Sequence, residues 1–147
     1  MKIRLMNMVK IVNEKTNEVV VLDKIKKEGW EGLTFPGGKR KENESLIESA
    51  IREAKEETGL DVNNLKYCGL ISWESQDFTD VGFLYETNNF RGELVKDNRE
   101  GKLSWINYED FKKMQGMSLS MDKILAIYEG KYQEIYWDLI NNKIKYF

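Results

Sequence analysis

Histidine is missing from this chain of 147 residues. Its absence excludes a Ser-His or Cys-His catalytic pair and a histidine-ligated zinc site. Acid–base chemistry must therefore be carried by carboxylates, lysine, tyrosine or metal-bound water. Cysteine is almost missing too, since Cys68 is the only one and cannot form an internal disulfide. A single cysteine is typical of a reducing compartment, which predicts a cytoplasmic protein.

An excess of charge of one sign is also lacking, because 23 basic residues face 25 acidic ones. Proteins that bind duplex nucleic acid usually carry a basic surplus, so no duplex partner is expected. No apolar run approaches the length of a membrane span, and residues 1–10 lack a signal-peptide core, so no membrane partner is expected. The composition, 41% apolar and 33% charged, predicts a single soluble domain over residues 1–147.

Proline occurs once, at Pro36, directly before the pair Gly37–Gly38. Upstream of it, apolar runs at 3–12 and 19–25 flank the turn-like residues 13–17, which predicts a β-hairpin. A short strand at 33–35 is expected to end in the turn at the proline.

Downstream of the glycine pair, the apolar spacing changes to a helical period and predicts a helix over residues 44–58. Asn43 is expected as its N-cap and Gly59 as the left-handed residue that ends it. The remaining predictions are strands at 65–73, 81–86 and 102–107, a helix at 119–128, and a final hairpin of 134–139 with 143–147. Strands and helices do not alternate as βαβ units, which favours an α+β fold or a mixed-sheet sandwich.

The first predicted helix carries three carboxylates, Glu53, Glu56 and Glu57, at i, i+3 and i+4. This spacing places them on one side, at the edge of the buried face. Each such like-charge pair costs an isolated helix roughly 0.2–0.5 kcal/mol, whereas a divalent cation would make the arrangement attractive. Oxygen-only ligands suit Mg²⁺ or Mn²⁺. The plainer interpretation is a solvated helix face.

The residues around this acidic helix resemble the signature box of the Nudix hydrolases. The box specifies nine positions over a 23-residue span, and in this chain they are Gly38, Glu44, Arg52, Glu53, Ala54, Glu56, Glu57, Gly59 and Leu60. Only Ala54 departs from the pattern, where a larger aliphatic residue is usual. The resemblance implies an α/β/α sandwich with a mixed β-sheet.

The resemblance also implies a role for each polar residue of the box. The divalent cation, Mg²⁺ or alternatively Mn²⁺, would be held by carboxylates and one carbonyl oxygen, those of Glu53, Glu56, Glu57 and Gly38. Glu44 and Arg52 would support these ligands, because an arginine can fork onto a carboxylate and hold its rotamer.

The catalytic proton acceptor is left open between a glutamate of the box and one from a later loop. The later candidate is Glu100, five residues before Trp105, where related enzymes carry such a group. Glu93 and Glu109 are nearby alternatives.

Other segments are similar to the mutator-type branch, which acts on oxidised purine nucleoside triphosphates. The run Gly29–Gly38 is like that branch's approach to the box, with Glu31 where an asparagine is common. Trp73 is expected to stack a base, and Asp122 to read its edge. Lys39 is expected to contact phosphates. Each also has a plainer interpretation, as core, capping or solvated residues.

The predicted function is Mg²⁺-dependent hydrolysis of nucleoside triphosphates to monophosphate and pyrophosphate. The expected substrate is an oxidised purine nucleotide such as 8-oxo-dGTP, a role connected with DNA repair. The alternatives are an RNA 5′-pyrophosphohydrolase, another hydrolase of nucleoside diphosphates linked to a further group, and a non-catalytic nucleotide-binding module. The chain is expected to act as a monomer or homodimer.

Overall fold

The computed structural model describes residues 1–25 and 30–147 of the chain. The start of the predicted run at Gly29 lies outside these residues. The described residues form twelve strands and three helices. In the first half of the chain these are β1 (Lys2–Asn13), β2 (Glu18–Lys24), β3 (Gly32–Thr34), β4 (Gly37–Lys39), α1 (Leu46–Thr58), β5 (Asp61–Asn63) and β6 (Lys66–Glu74). The second half contributes β7 (Phe78–Thr87), β8 (Asn89–Arg91), β9 (Asp97–Asn98), β10 (Gly101–Asn107), α2 (Tyr108–Lys113), α3 (Met121–Tyr128), β11 (Glu134–Asp138) and β12 (Lys143–Tyr146).

Strand β1 is the centre of the main sheet and has three partners. It runs parallel to β7 over residues 2–11, and antiparallel to β4 over residues 6–8. The predicted hairpin with β2 forms, but it closes over only two residue pairs, Val12 with Val19 and Asn13 with Glu18. The described strands of this sheet follow the order β12-β11-β6-β7-β1-β2-β10-β9, with β3 on β2 and β4 on β1. The sheet is therefore mixed, as predicted.

Two hydrophobic clusters lie on opposite sides of the sheet. One packs α1 against it through Ala50 and Ala54, which meet Val9 and Ile11 of β1. The other packs α2 and α3 against the other side, with Phe35 among its fully buried members. Each large apolar side chain buried in this way contributes about 1.5–3 kcal/mol. The layers, helix on sheet on helix, confirm the predicted α/β/α sandwich.

Helix α1 begins later than predicted, because Ser45 and not Asn43 is its N-cap. The Ser45 hydroxyl accepts a hydrogen bond from the Glu48 backbone N–H at 3.0 Å, and the Glu48 carboxylate accepts one from the Ser45 N–H at 2.8 Å. This reciprocal pair satisfies two otherwise free donors of the first turn. Asn43 instead takes a left-handed conformation, φ 64°, in the preceding turn. The prediction for Gly59 is confirmed, with φ 80° and its N–H bonded to the Lys55 carbonyl.

The Pro36-Gly37-Gly38 segment was predicted as a turn, but Gly37 and Gly38 begin strand β4. The reason is tertiary: a Cβ on Gly37 would collide with the Asn7 carbonyl oxygen of β1, so only glycine allows the two strands to approach. The short elements β5, β8, β9 and α2 were not predicted. In the part of the chain that the structure describes, no helix is long and apolar enough to cross a membrane.

Candidate active site

Strand β4 and helix α1 are in direct contact in the site. The Glu53 carboxylate lies directly against Gly38, so that a Cβ there would stand 2.5 Å from Glu53 Oε2 and 2.6 Å from Oε1. No side chain other than hydrogen fits beside this carboxylate. Pairing of Gly38 with Asn7 of β1 fixes its position in the sheet. The predicted neighbours Gly38 and Glu53 are thus brought together by the fold.

Arg52 organises the polar side of α1. Its Nε and Nη2 donate to the two carboxylate oxygens of Glu44 at 3.0 and 2.8 Å. Its Nη1 donates to Glu53 Oε1 at 2.9 Å and to Glu56 Oε2 at 3.1 Å. Nη2 also donates to the Lys39 carbonyl at 2.9 Å. One guanidinium therefore binds three glutamates and the end of β4.

Glu44 stays ionised in this arrangement. The forked hydrogen bonds from Arg52, together with one from the Lys41 backbone N–H at 2.7 Å, lower the pKa of Glu44 to about 2. The hydrogen bonds to Glu44 in turn raise the already high pKa of Arg52. Glu44 is thereby bonded to the arginine and is not among the residues that line the cleft.

Glu57 is the most buried carboxylate of the box, with 6% of its surface exposed. Its Oε1 accepts a hydrogen bond from the Gly37 backbone N–H at 2.9 Å. Its Oε2 is buried, and no donor from residues 1–25 or 30–147 reaches it. Burial, followed by the hydrogen bond and charge of the facing Glu100, raises the pKa of Glu57 to about 9. Glu57 and Glu100 therefore favour the binding of a positive charge between their carboxyl groups, either a proton or a cation.

The pKa of Glu53 is also raised, as that of Glu57 is. Burial raises its pKa, and the charges of Glu56 and Glu100 act in the same direction, while the hydrogen bond from Arg52 opposes them. The four acidic side chains of the cleft, those of Glu53, Glu56, Glu57 and Glu100, therefore raise the electrostatic cost of leaving it without a cation.

Glu100 is held against α1 by Asn98, a residue that the sequence analysis missed. Asn98 Oδ1 accepts hydrogen bonds from the backbone N–H groups of Glu100 and Gly101, at 2.7 and 3.1 Å. Its Nδ2 donates to the Glu57 carbonyl at 2.8 Å. The segment Asp97-Asn-Arg-Glu-Gly101 has turn composition, and this was the signal in the sequence that could have pointed to Asn98. Among the later glutamates Glu100 lines the cleft, whereas Glu109 pairs with Lys112.

A cavity of about 910 Å³ extends from the glutamates across the sheet. Its mouth is lined by Gly38, Lys39, Glu53, Glu57 and Glu100, and its walls include Met6, Trp30, Trp73 and Phe78. A cavity of this size, with mostly apolar walls and a few polar groups, is typical of small-molecule sites. A groove of about 520 Å³ adjoins it on the outer side, where Glu56 and Arg99 also line the wall.

Trp73 is both a core residue and a wall of this cavity. The residue is 5% exposed, and its Nε1 donates to the Ser120 hydroxyl at 2.9 Å. Trp30 meets it edge to face, with ring centroids 5.0 Å apart. Gly82 lies beneath the ring, where an added Cβ would come to 3.3 Å. These contacts hold the tryptophan in one orientation in the wall of the cavity.

Two predicted substrate residues lie elsewhere. The Asp122 side chain is 76% exposed and pairs with Lys123 at 3.3 Å. Glu31 is exposed just before β3. Of the residues that the structure describes, neither lines the cavity, whereas Lys39 and Trp73 do.

The donor atoms at the mouth fit a divalent cation, although no ready-made cluster of three metal-binding side chains exists among the described residues. The glutamates are instead turned to protein partners: Arg52 takes oxygens of Glu53 and Glu56, and the Gly37 N–H takes one of Glu57. Glu57 Oε2 is buried without an N–H donor from the described residues and faces the Glu100 carboxyl group, so a positive group placed between them would offset their charge. An oxygen-only set of this kind suits a hard cation.

Comparison with known proteins identifies the family. The model of the NUDIX domain matches residues 2–126, so the chain belongs to the Nudix family of hydrolases, which act on pyrophosphate bonds. This confirms the resemblance seen in the box. Nudix hydrolases generally use a divalent metal and bind nucleotide substrates.

Individual relatives agree with this assignment. The chain is 55% identical over 110 residues to a putative 8-oxo-dGTP diphosphatase, YtkD of Bacillus subtilis, covering 72% of this chain and 70% of that protein. It is 30% identical over 104 residues to the uncharacterized Nudix hydrolase YvcI of the same organism, covering 67% of this chain. The match spans 65% of the length of YvcI, a little under two thirds.

The fold has a close counterpart among solved structures. The MutT protein of Bacillus halodurans superposes with a TM-score of 0.75, covering 98% of this chain and 96% of that one, at 22% identity. At this level of identity the likeness concerns the fold alone.

Proposed function

We propose that this protein hydrolyses nucleoside triphosphates to monophosphate and pyrophosphate, with Mg²⁺ as cofactor and an oxidised purine nucleotide such as 8-oxo-dGTP as preferred substrate. The carrying observation is that one continuous cavity joins the glutamates of α1 to an aromatic wall at Trp73. A nucleotide requires a site with two different ends: an acidic end, where a metal binds its phosphates, and an apolar end, where its base lies. The name of the relative YtkD supports the choice of substrate.

Four groups would hold the cation: the carboxylates of Glu53, Glu56 and Glu57, and the carbonyl oxygen of Gly38. A bound Mg²⁺ neutralises phosphate charge and makes a water molecule more acidic. Arg52 keeps Glu53 and Glu56 in place before substrate arrives. Such preorganisation removes the need to reorient these groups during the reaction.

Glu100 is the proposed general base. It lies at the mouth of the cavity and faces Glu57, on a loop that Asn98 ties to α1. The attacking water oxygen forms a bond to the β-phosphorus while the bond to the bridging oxygen of the nucleoside monophosphate breaks. The proton of the water passes to the Glu100 carboxylate. Lys39, at the rim, offers its ammonium group to the phosphates.

Base recognition takes place at the other end of the cavity. Trp73 and Phe78 supply apolar walls against which a purine can pack. For Asp122 and Glu31 to contact the base, both side chains would have to turn inward from their exposed positions. We propose that the chain acts in the cytosol, since its single thiol suits a reducing compartment.

A substrate panel tests this function. Initial rates with Mg²⁺ would be compared for 8-oxo-dGTP, 2-hydroxy-dATP, dGTP, ADP-ribose, a dinucleoside polyphosphate and RNA with a 5′-triphosphate. The highest kcat/KM is expected for an oxidised purine triphosphate, with pyrophosphate as the second product. A preference for ADP-ribose, the dinucleoside polyphosphate or RNA would contradict the proposed substrate while leaving a hydrolase.

A matched pair of variants separates catalysis from binding. Glu57→Gln keeps the size of the side chain but removes its charge, and is expected to lower kcat by several orders of magnitude. Glu134→Gln, which changes an exposed glutamate of β11, is the control and should keep wild-type rates. Equal and negligible rates for wild type and Glu57→Gln on every substrate would favour a non-catalytic nucleotide-binding module.

A further inference from the structure

An ion pair lies in the cavity wall together with the aromatic residues. The guanidinium of Arg4 donates to both oxygens of Asp80, from Nε at 2.5 Å and from Nη2 at 2.8 Å. The Asp80 side chain is 4% exposed and that of Arg4 31% exposed, and both residues line the cavity. The Phe78 ring covers one face of the guanidinium, with 3.8 Å between Arg4 Cζ and the ring centroid. Asp80 therefore holds the edge of the Arg4 guanidinium, and Phe78 covers one of its faces.

The sheet sets this pair in place. Arg4 and Asp80 are direct partners in the parallel pairing of β1 with β7, so their side chains leave the sheet on the same side. On the same side of β7, Gly82 leaves room for the Trp73 ring. The pair and the Trp73 ring thus border the same cavity.

The free hydrogen-bonding groups of this pair are donors. A guanidinium has five N–H groups, and two of those of Arg4 are used by Asp80, which leaves three. No acceptor from the described residues takes them. A ligand edge that meets Arg4 must therefore present acceptors, because a donor placed there would leave both groups unpaired and desolvated.

The distance from the hydrolytic end suits a nucleotide. Arg4 is three residues along β1 from Asn7, which pairs with Gly38. At about 3.3 Å per residue this separation is about 10 Å. A nucleotide with its phosphates at the glutamates thus has its base in the region of Arg4.

We propose that Arg4, positioned by Asp80, recognises the 6-oxo group of a purine and selects 6-oxopurine nucleotides over 6-aminopurine nucleotides. The inference rests on the proposed function only in that a nucleotide occupies the cavity. The 6-oxo oxygen of guanine, 8-oxoguanine or hypoxanthine accepts hydrogen bonds, whereas the 6-amino group of adenine donates them. Arg4 is a specificity-determining residue and Asp80 a positioning residue.

The test uses dITP and dATP, which differ only at position 6 and in the N1 proton. Their dissociation constants would be measured by quenching of the cavity tryptophans, and kcat/KM would be measured in parallel. Wild type is expected to favour dITP, and Arg4→Met should reduce the dITP:dATP ratio about tenfold to a hundredfold. Arg91→Met, which changes an exposed arginine of β8, is the matched control and should keep the wild-type ratio.

Further variants guard against a folding defect, because Arg4→Met leaves the Asp80 carboxylate buried without its partner. The double variant Arg4→Met/Asp80→Asn removes that charge and should show the same loss of selectivity with a cooperative thermal transition. Asp80→Asn alone should reduce the ratio while Arg4 is retained, which a purely structural arginine would not explain.

The outcomes distinguish this inference from the proposed function. If wild type hydrolyses 8-oxo-dGTP but Arg4→Met and the double variant keep the wild-type ratio within twofold, the role of Arg4 is overturned and the hydrolase stands. A wild type that binds dATP as tightly as dITP also overturns it. If nucleotides bind with the expected ratios but none is hydrolysed, the selectivity stands and the hydrolase fails.

Discussion

Asn98 and Glu57 are joined by a hydrogen bond of 2.8 Å from the Asn98 amide to the Glu57 carbonyl oxygen. Through its other atom, Oδ1, the same side chain holds the backbone of Glu100. A single amide thus connects the end of the acidic helix to the loop with the proposed general base. The carboxyl groups of Glu57 and Glu100 face each other because the Asn98 side chain sets the position of the Glu100 loop.

Removing that link should impair both catalysis and folding stability. Asn98→Ala loses three hydrogen bonds, each worth about 1 kcal/mol, and lets the Glu100 loop move. We expect kcat/KM on 8-oxo-dGTP to fall about tenfold or more, mainly in kcat, together with a fall in the melting temperature. Asn88→Ala, at an exposed asparagine, serves as control. Unchanged kcat in a folded Asn98→Ala protein would show that the loop is held by other contacts.

The contact between Gly38 and Glu53 allows a sharper test. In Gly38→Ala the new methyl group must displace the Glu53 carboxylate, because the space is already occupied. The expected result is a loss of metal-dependent activity of about a hundredfold, with a higher Mg²⁺ concentration needed for half-maximal rate.

Gly130→Ala is the control for an added methyl group, since nothing lies within 4 Å of its Cβ position. Its positive φ of 80° predicts a modest loss of stability, about 1 kcal/mol, without loss of activity. Wild-type Mg²⁺ dependence in Gly38→Ala would contradict the proposed place of Glu53 in the metal site.

Arg52 should not be replaceable by lysine. A lysine ammonium has three donors and no planar fork, so it cannot hold Glu44, Glu53 and Glu56 at once. For Arg52→Lys we expect kcat/KM to fall about tenfold to a hundredfold although the positive charge is kept. Arg91→Lys provides the matched comparison. Near-normal kinetics of Arg52→Lys would mean that charge alone suffices at this position.

The thiol of Cys68 should be slow to react in the folded protein. Burial raises the pKa of Cys68 from 9.0 to about 11, with a further contribution from the charge of Glu86. Since the thiolate is the nucleophile, its alkylation by iodoacetamide at pH 8 should be about a hundredfold slower than in urea-unfolded protein. The folded-state rate should keep rising with pH above 9. Mass spectrometry follows the adduct, and folded and unfolded rates within threefold of each other would refute the raised pKa.

Local patterns in the sequence were enough to predict helix α1, its end at Gly59 and the grouping of its glutamates. These features depend on neighbours within one or two helical turns. Features that depend on distant partners were missed. Strand β4 exists because Gly37 and Gly38 pair with β1, some thirty residues earlier, and the partners Arg4 and Asp80 are separated by 76 positions.

The N-cap error has a local cause. Both Asn43 and Ser45 are good capping residues, and only Ser45 has a glutamate three residues later, at Glu48, to complete the reciprocal pair. Asp122 shows a different limit of the sequence. Its position near the start of a helix could be predicted, but the direction of its side chain could not.

The three partners of β1 have a consequence for how this protein can change. Removing one residue between Arg4 and Asn7 would turn every side chain before the deletion to the other side of the sheet. Arg4 would then point toward the α1 layer, away from Phe78 and Asp80. Insertions and deletions in this strand should therefore be rejected, whereas the exposed residues 92–93 after β8 offer a place where length can vary.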